Sequence, residues 1–144
     1  MKNKGFTLVE MLAVIVILAI IALITVPTTL NVISNSRLEG AKSKAFGTIS
    51  AVKNTYAQFR LFGVDVYGNG VTATSDSITV TFSDGNESFG DKIIAITGER
   101  PTSGSVTIDK KTGLVTCNNL LFKSGGKYYC STTDGKNMEC SLKA

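Results

Sequence analysis

The sequence predicts an α+β fold in which one long N-terminal α-helix packs on a C-terminal antiparallel β-sheet of about four strands. Three observations lead to this prediction: an apolar run over residues 11–26, an amphipathic helical pattern over residues 30–62, and alternating apolar and polar residues between turn signals from residue 78 onwards. Because the helical and strand patterns occupy separate parts of the chain, we expect segregated rather than alternating elements.

The apolar run has the length and composition of a membrane-spanning helix, which needs roughly 20 apolar residues. Lys2 and Lys4 precede it, and Glu10 is the one charged residue between residues 6 and 27. Positive residues that flank a first helix stay in the cytoplasm, which places the C-terminal part of the chain outside. The N-terminus therefore predicts a single-pass membrane protein.

The end of this segment differs from that of an ordinary secretory signal. No cleavage site of the A-x-A type follows Val26, so the apolar helix is not marked for removal. The small-residue junction lies instead at Gly5–Phe6, ahead of the apolar run. A cut there would remove both lysines and keep the helix.

The sequence Gly5-Phe6-Thr7-Leu8-Val9-Glu10 resembles the cleavage motif, or class III leader, of type IV prepilins of the type IVa kind. The resemblance implies cleavage after Gly5 and methylation of the new amino terminus at Phe6 by a prepilin peptidase that is also an N-methyltransferase. It divides the chain into a leader 1–5, a transmembrane or filament-core helix 6–27, an amphipathic second half of that helix 28–62 and a globular β-sheet head 63–144. The alternative is a plain signal anchor that stays uncleaved.

Glu10 requires a partner, because a carboxylate inside an apolar helix costs about 2.5 to 3.5 kcal/mol on insertion scales. After cleavage the best partner is the free amine of Phe6. It could be the amine of the same chain, four residues back along the helix, or that of the next subunit in a staggered assembly. The resemblance implies the second arrangement as a device that sets register, and the sequence leaves both open.

Pro27 follows the apolar run inside the predicted helix. A proline there removes one backbone hydrogen bond and kinks a helix, and the alternative is that the helix stops at the membrane surface. The amphipathic pattern beyond it favours one nearly continuous helix from Phe6 to about Phe62, on the order of 85 Å long, with Gly63 as a stop signal. The expected apolar stripe comprises Leu38, Ala41, Ala45, Ile49 or Phe46, Val52, Tyr56 and Phe59.

The remainder of the chain reads as a linker followed by a sheet. Residues 63–77 are rich in glycine and serine and predict a surface loop. The predicted strands are 78–82, a run at 92–97 that is either strand or a short helical turn, a hairpin over 105–117 with Gly113 in its turn, and a second hairpin over 120–130. The tail from residue 131 is polar and turn-rich.

Three cysteines, Cys117, Cys130 and Cys140, all lie in the last quarter of the chain. A domain outside the cell is in an oxidising compartment, so we expect one disulfide and one leftover thiol. Resemblance to pilins with a C-terminal disulfide loop favours the pairing of Cys130 with Cys140. The alternatives are Cys117 with Cys130, or three reduced thiols.

The composition argues against an enzyme. The chain has no histidine, which removes the commonest general base and the commonest zinc ligand. No cofactor motif is present. Asp134 and Glu139 in the tail could lie beside a bound calcium ion, as resemblance to secretion-type pseudopilins would imply, but the two carboxylates lack the spacing of a calcium site, so we expect no metal. The net charge of +4, which falls further if Lys2 and Lys4 are removed, is too small to indicate nucleic-acid binding.

The resemblance implies a structural pilin subunit that polymerises through its N-terminal helix into an extracellular type IV pilus serving adhesion, motility, aggregation or DNA uptake. Its implied partners are copies of itself, the prepilin peptidase, an inner-membrane pilus assembly platform and, before assembly, the membrane; the surface ligand is not indicated. The alternative is a pseudopilin or minor pilin of a type II secretion or competence machine. A third class is an uncleaved, membrane-anchored binding module.

Overall fold

A computed structural model of the chain describes residues 5–61, 67–83 and 85–142. The chain divides into two compact units, one ending at Ser36 and the other beginning at Arg37, and helix α1 contributes to both. The elements of the described residues are α1 (Leu8–Leu61), β1 (Val71–Ala73), β2 (Ser77–Phe82), β3 (Ser88–Phe89), β4 (Lys92–Ile93), β5 (Gly104–Asp109), β6 (Val115–Phe122), β7 (Tyr128–Thr132) and β8 (Glu139–Leu142).

The part of α1 in the second unit confirms the predicted apolar stripe. Ala45 and Val52 are completely buried, and Ile49 rather than Phe46 is the buried residue between them. Leu38 and Phe59, at the ends of the stripe, are partly buried. Two threonines, Thr48 and Thr55, are also buried on this face, where each hydroxyl donates to the backbone carbonyl four residues earlier at 3.0 and 2.8 Å. Their polar groups are therefore satisfied within the helix. The predicted end at Phe62 and the stop at Gly63 lie outside the described residues.

The sheet under this stripe is antiparallel and, within the described residues, has six strands in the order β1-β2-β5-β6-β7-β8. Its inner face and the buried face of α1 form one hydrophobic cluster. Alternate residues of β2, namely Ile78, Val80 and Phe82, point into that cluster, as period-two burial requires. The predicted α+β architecture is confirmed.

The two strands beyond the predicted four are the edges of the sheet. β1 lies in the segment predicted as a linker, and β8 lies in the segment predicted as a polar tail. Both are mostly exposed and only three and four residues long, which is too short for the alternation that identified the inner strands to be recognised. The apolar run at 92–97 supplies only the two residues of β4, which pairs with β3 in a separate ribbon; Ile94 then continues as irregular, buried chain.

Both predicted hairpins are confirmed, as β5–β6 and β6–β7. The two segments predicted separately at 114–117 and 120–122 are one strand, β6, interrupted by a bulge between Cys117 and Leu120. Asn119 adopts a positive φ of 50° in this bulge. Gly104 lies directly against it, since a Cβ at Gly104 would fall 2.4 Å from the Asn119 carbonyl oxygen, and only glycine fits there.

The expected disulfide between Cys130 and Cys140 is confirmed. The two cysteines face each other across β7 and β8, with their Cα atoms 4.1 Å apart. All three cysteines lie within the described residues, and Cys117 is the one that is free. The alternative pairing of Cys117 with Cys130 is therefore not formed. Burial raises the pKa of the Cys117 thiol to about 11, which keeps it protonated and poorly nucleophilic at neutral pH.

Replacing both Cys130 and Cys140 by serine is expected to lower the free energy of unfolding by about 2.7 kcal/mol, because the bond closes a short loop in the unfolded chain. Urea unfolding of the detergent-solubilised protein, followed by near-ultraviolet circular dichroism, measures the difference. A Cys117→Ala variant, which retains the disulfide, is the matched control, and a reducing agent should destabilise it but not the double variant. A difference below about 0.5 kcal/mol would contradict the expectation.

Candidate processing and assembly site

The junction between Gly5 and Phe6 is open to solvent in the described residues. Gly5 is exposed, and the Phe6 side chain is 80% exposed although it is a large apolar group. A Cβ added at Gly5 would meet no described atom within 4 Å, so packing does not explain a glycine at this position. An exposed junction of this kind is accessible to a processing enzyme. Lys2 and Lys4 lie outside the described residues.

Thr7 and Glu10 form a capping box at the start of α1. The Thr7 backbone N–H and hydroxyl donate to Glu10 Oε2 at 2.7 and 2.9 Å, and the Glu10 N–H donates to Thr7 Oγ1 at 3.3 Å. The pair satisfies backbone donors that the first helical turn leaves without partners. It also places a negative charge near the positive end of the helix dipole. The sequence signal for this role is Thr-x-x-Glu ahead of an apolar run, which the prediction of Glu10 as a charge partner did not use.

The capping box fixes where the Glu10 carboxylate lies. It is held against the residue that immediately follows Phe6, at the very beginning of the helix. The pairing of Glu10 with a Phe6 amine, in the same chain or in a neighbour, stays a prediction. A carboxylate held by Thr7 is oriented in advance, so such a pairing would require little further ordering of the side chain.

Helix α1 continues through Pro27, so it does not stop at the proline. Proline lacks the N–H that would bond to the carbonyl four residues earlier. Three threonines surround this position: the hydroxyl of Thr25 donates to Ile21 O at 2.7 Å, and those of Thr28 and Thr29 donate to Thr25 O at 2.8 Å. Each hydroxyl is thereby satisfied by the helix backbone, which suits a polar side chain in an apolar segment.

Every described residue of the first unit is exposed, including large apolar groups such as Leu8, Ile15 and Leu23. By length and composition α1 is able to cross a membrane. A helix that is apolar on all sides and unburied needs lipid or other helices around it.

Asp134 organises the C-terminal loop through hydrogen bonds from neighbouring residues. Asp134 Oδ1 accepts hydrogen bonds from the Asn137 and Lys136 N–H groups and from the Thr132 hydroxyl, at 2.8 to 3.0 Å. These bonds, the one from the Asn137 N–H foremost, hold the pKa of Asp134 well below its usual range. No group of three His, Cys, Asp or Glu residues within the described ranges is placed to hold a metal ion.

Comparison with known proteins adds two findings. A family model described as the prokaryotic N-terminal methylation motif matches residues 1–26. The chain is also 34% identical over 72 residues to the fimbrial protein EcpC of Eikenella corrodens, and the match covers 50% of this chain and 47% of that protein. The chain thus spans about half the length of this curated relative. No solved structure matches significantly.

These findings agree with the architecture. The methylation motif covers the Gly5–Phe6 junction, the Thr7–Glu10 capping box and most of the exposed apolar part of α1. The packing of a long N-terminal helix on an antiparallel sheet is the architecture that the resemblance implies. The chain is therefore similar to proteins that carry the prokaryotic N-terminal methylation motif and, over 72 residues, to a fimbrial protein.

Proposed function

We propose that the chain is a prepilin, made as a single-pass membrane protein with its N-terminus in the cytoplasm and its C-terminal part outside. Residues 1–5 are a leader that a prepilin peptidase removes after Gly5, and the same enzyme methylates Phe6. Residues 6–27 anchor the subunit and later form the filament core, while 28–62 support the head, 63–144. The observation that carries the proposal is the methylation motif at the start of an exposed apolar helix.

Assembly transfers this helix from lipid to a bundle of identical helices. The hydrophobic effect gives little drive for this step because lipid is as apolar as the helix, so close packing and polar contacts must supply it. Glu10 is the charged group of the helix core, and methylated Phe6 carries the complementary amine. A pairing between neighbouring subunits would neutralise both charges in a low-dielectric interior and fix the stagger of the helices.

A pilus is favoured over a calcium-bearing secretion pseudopilin by two features of the head. Its C-terminal strands are joined by the Cys130–Cys140 disulfide, and the Asp134 carboxylate is occupied by hydrogen bonds from its own loop. In this proposal an inner-membrane platform extrudes the filament, which then serves adhesion, motility, aggregation or DNA uptake. Electron microscopy of cells labelled for this chain separates the two outcomes, since only a pilus gives long external fibres.

Mass spectrometry of the N-terminal peptide from native cells tests the proposal. We expect a chain that begins at Phe6 and carries one additional methyl group. A Gly5→Leu variant should retain the leader, because the proposed cleavage takes place after this glycine, whereas Gly40→Ala should be processed normally. An added Cβ meets no described atom within 4 Å at either position, so neither change should disturb packing. Native protein that still begins at Met1 would overturn the proposal and would favour an uncleaved membrane anchor.

A further inference from the structure

A modification motif lies in the loop between β2 and β3. Asn86-Glu87-Ser88 fits the acceptor pattern of N-linked glycosylation, Asn-x-Ser/Thr with x other than proline. The sequence contains nine asparagines, and Asn86 is the one with a serine or threonine two positions later. Because the pattern is short, it supports a modification site only if the fold exposes the asparagine.

The fold turns Asn86 outward and its neighbour inward. Asn86 is exposed, whereas Glu87 is completely buried. Glu87 Oε1 accepts hydrogen bonds from the N–H groups of Ser83 and Gly85 at 2.8 and 3.2 Å, and Oε2 accepts one from Arg100 at 2.7 Å. The loop is thus anchored through Glu87, and Asn86 lies on a surface where an attached oligosaccharide would extend into solvent.

The position of Ser88 determines at which stage a transferase can recognise the motif. Its side chain is buried, and its hydroxyl donates to Gly90 O at 2.9 Å and accepts from the Asn69 N–H at 3.4 Å. A transferase that recognises both Asn86 and the Ser88 hydroxyl cannot reach this hydroxyl in the folded loop. The acceptor must therefore be the exported chain before β3 pairs with β4.

We propose that Asn86 is N-glycosylated during export, with a lipid-linked oligosaccharide pyrophosphate as the donor. The Asn86 amide nitrogen attacks the anomeric carbon of the first sugar, forming a C–N bond as the C–O bond to the pyrophosphate breaks. The amide loses one proton, the lipid pyrophosphate leaves, and no oxidation or reduction occurs. The reaction requires the head to lie outside the membrane and so rests on the topology given under the proposed function.

Mass spectrometry of protein from native cells tests this assignment. Tryptic peptide 61–92 should carry the additional mass of an oligosaccharide, located on Asn86 by fragmentation. The Asn86→Gln variant alters an exposed side chain and should lose the additional mass completely, as should Ser88→Ala. Ser88→Thr, which retains the acceptor pattern, should keep it, and so should Asn69→Gln in the same peptide.

An unmodified peptide 61–92 in native protein would overturn the glycosylation of Asn86, as would additional mass that persists in the Asn86→Gln variant. The N-terminal peptide of the same sample reports separately on the proposed function. A chain that begins at methylated Phe6 but has bare Asn86 refutes only the glycosylation. A chain that begins at Met1 but carries the oligosaccharide refutes only the processing.

Discussion

A Glu10→Ala subunit should be cleaved and methylated as the parent is, yet form about tenfold fewer filaments. The expected size follows from the polar contact that it removes, because an interhelical polar pair in a membrane contributes about 1 to 2 kcal/mol and about 1.4 kcal/mol corresponds to a factor of ten. Filaments sheared from cells and counted by electron microscopy, with subunits quantified in the membrane fraction, measure the effect. Unassembled subunits should accumulate in that membrane fraction.

Two further variants separate the charge of Glu10 from its role in the capping box. Glu10→Gln retains a side chain that can cap the helix, since Gln also serves at this position, but it has no charge to pair with the Phe6 amine. Thr7→Ala removes the hydroxyl that donates to Glu10 at 2.9 Å and leaves the carboxylate. If inter-subunit charge pairing sets assembly, Glu10→Gln should fail as Glu10→Ala does, while Thr7→Ala should assemble at a reduced level.

If Glu10→Gln assembles well and Thr7→Ala fails, the role of Glu10 is helix capping alone. Filaments of normal number and length from both Glu10 variants would remove the carboxylate from the assembly mechanism altogether. Processing must be measured in each variant, because the altered residues lie within five positions of the cleaved bond.

Arg100→Ala should destabilise the head by about 2 kcal/mol. Arg100 Nη2 lies 2.7 Å from Glu87 Oε2, and the two side chains are 26% and 1% exposed. The expected value lies between about 3 kcal/mol for breaking a fully buried pair and about 1 kcal/mol for an exposed one. Arg100 Nη1 also donates to Ile94 O at 2.7 Å, so the variant loses this second hydrogen bond as well. Urea unfolding in detergent measures the change.

Glu87→Gln in the Arg100→Ala background is the matched control for this prediction. The double variant should be more stable than Arg100→Ala alone, because it no longer buries a carboxylate without its cation. A double variant that is equally unstable or less stable would show that lost packing, rather than the uncompensated charge, accounts for the effect.

The same pair makes stability depend on pH. Burial alone would raise the pKa of Glu87, but hydrogen bonds from Arg100 and from three backbone N–H groups outweigh it and leave the pKa below its ordinary value of 4.5. A lowered pKa in the folded state stabilises the fold above the pKa of the unfolded chain, and this stabilisation is lost as the pH falls through the folded value. The wild-type protein should therefore lose more stability below about pH 4.5 than the Glu87→Gln variant does.

Local sequence patterns predict the long helix and the central strands of this fold. The helix is predicted to within two residues of its described start at Leu8, because its apolar run and stripe extend over many turns. Both central hairpins are predicted because alternation and glycine turns coincide. The capping box and the Asn86 acceptor pattern are also local, since Thr7-x-x-Glu10 and Asn86-x-Ser88 each lie within four consecutive residues.

Other features depend on partners far apart in the chain. Within the described residues, the edge strands β1 and β8 have one strand neighbour each and little buried surface, and at three and four residues they are too short for a sequence pattern to identify them. The bulge at Asn119 accompanies a shift in the pairing register between β6 and β7, and the sequence of one strand alone does not determine that register. The ion pair between Glu87 and Arg100 joins residues thirteen positions apart, and either charge alone looks like an ordinary surface residue.

The position of the disulfide at the border of the sheet has a mechanical consequence. β8 has one strand neighbour, and Cys140 fastens it covalently to β7. Without that bond a detached β8 would uncover the hydrogen-bonding groups of β7, which is the usual starting point for strand exchange between adjacent copies. In the proposed filament, neighbouring subunits would meet at very high local concentration, and the covalent link would keep each one folded on itself.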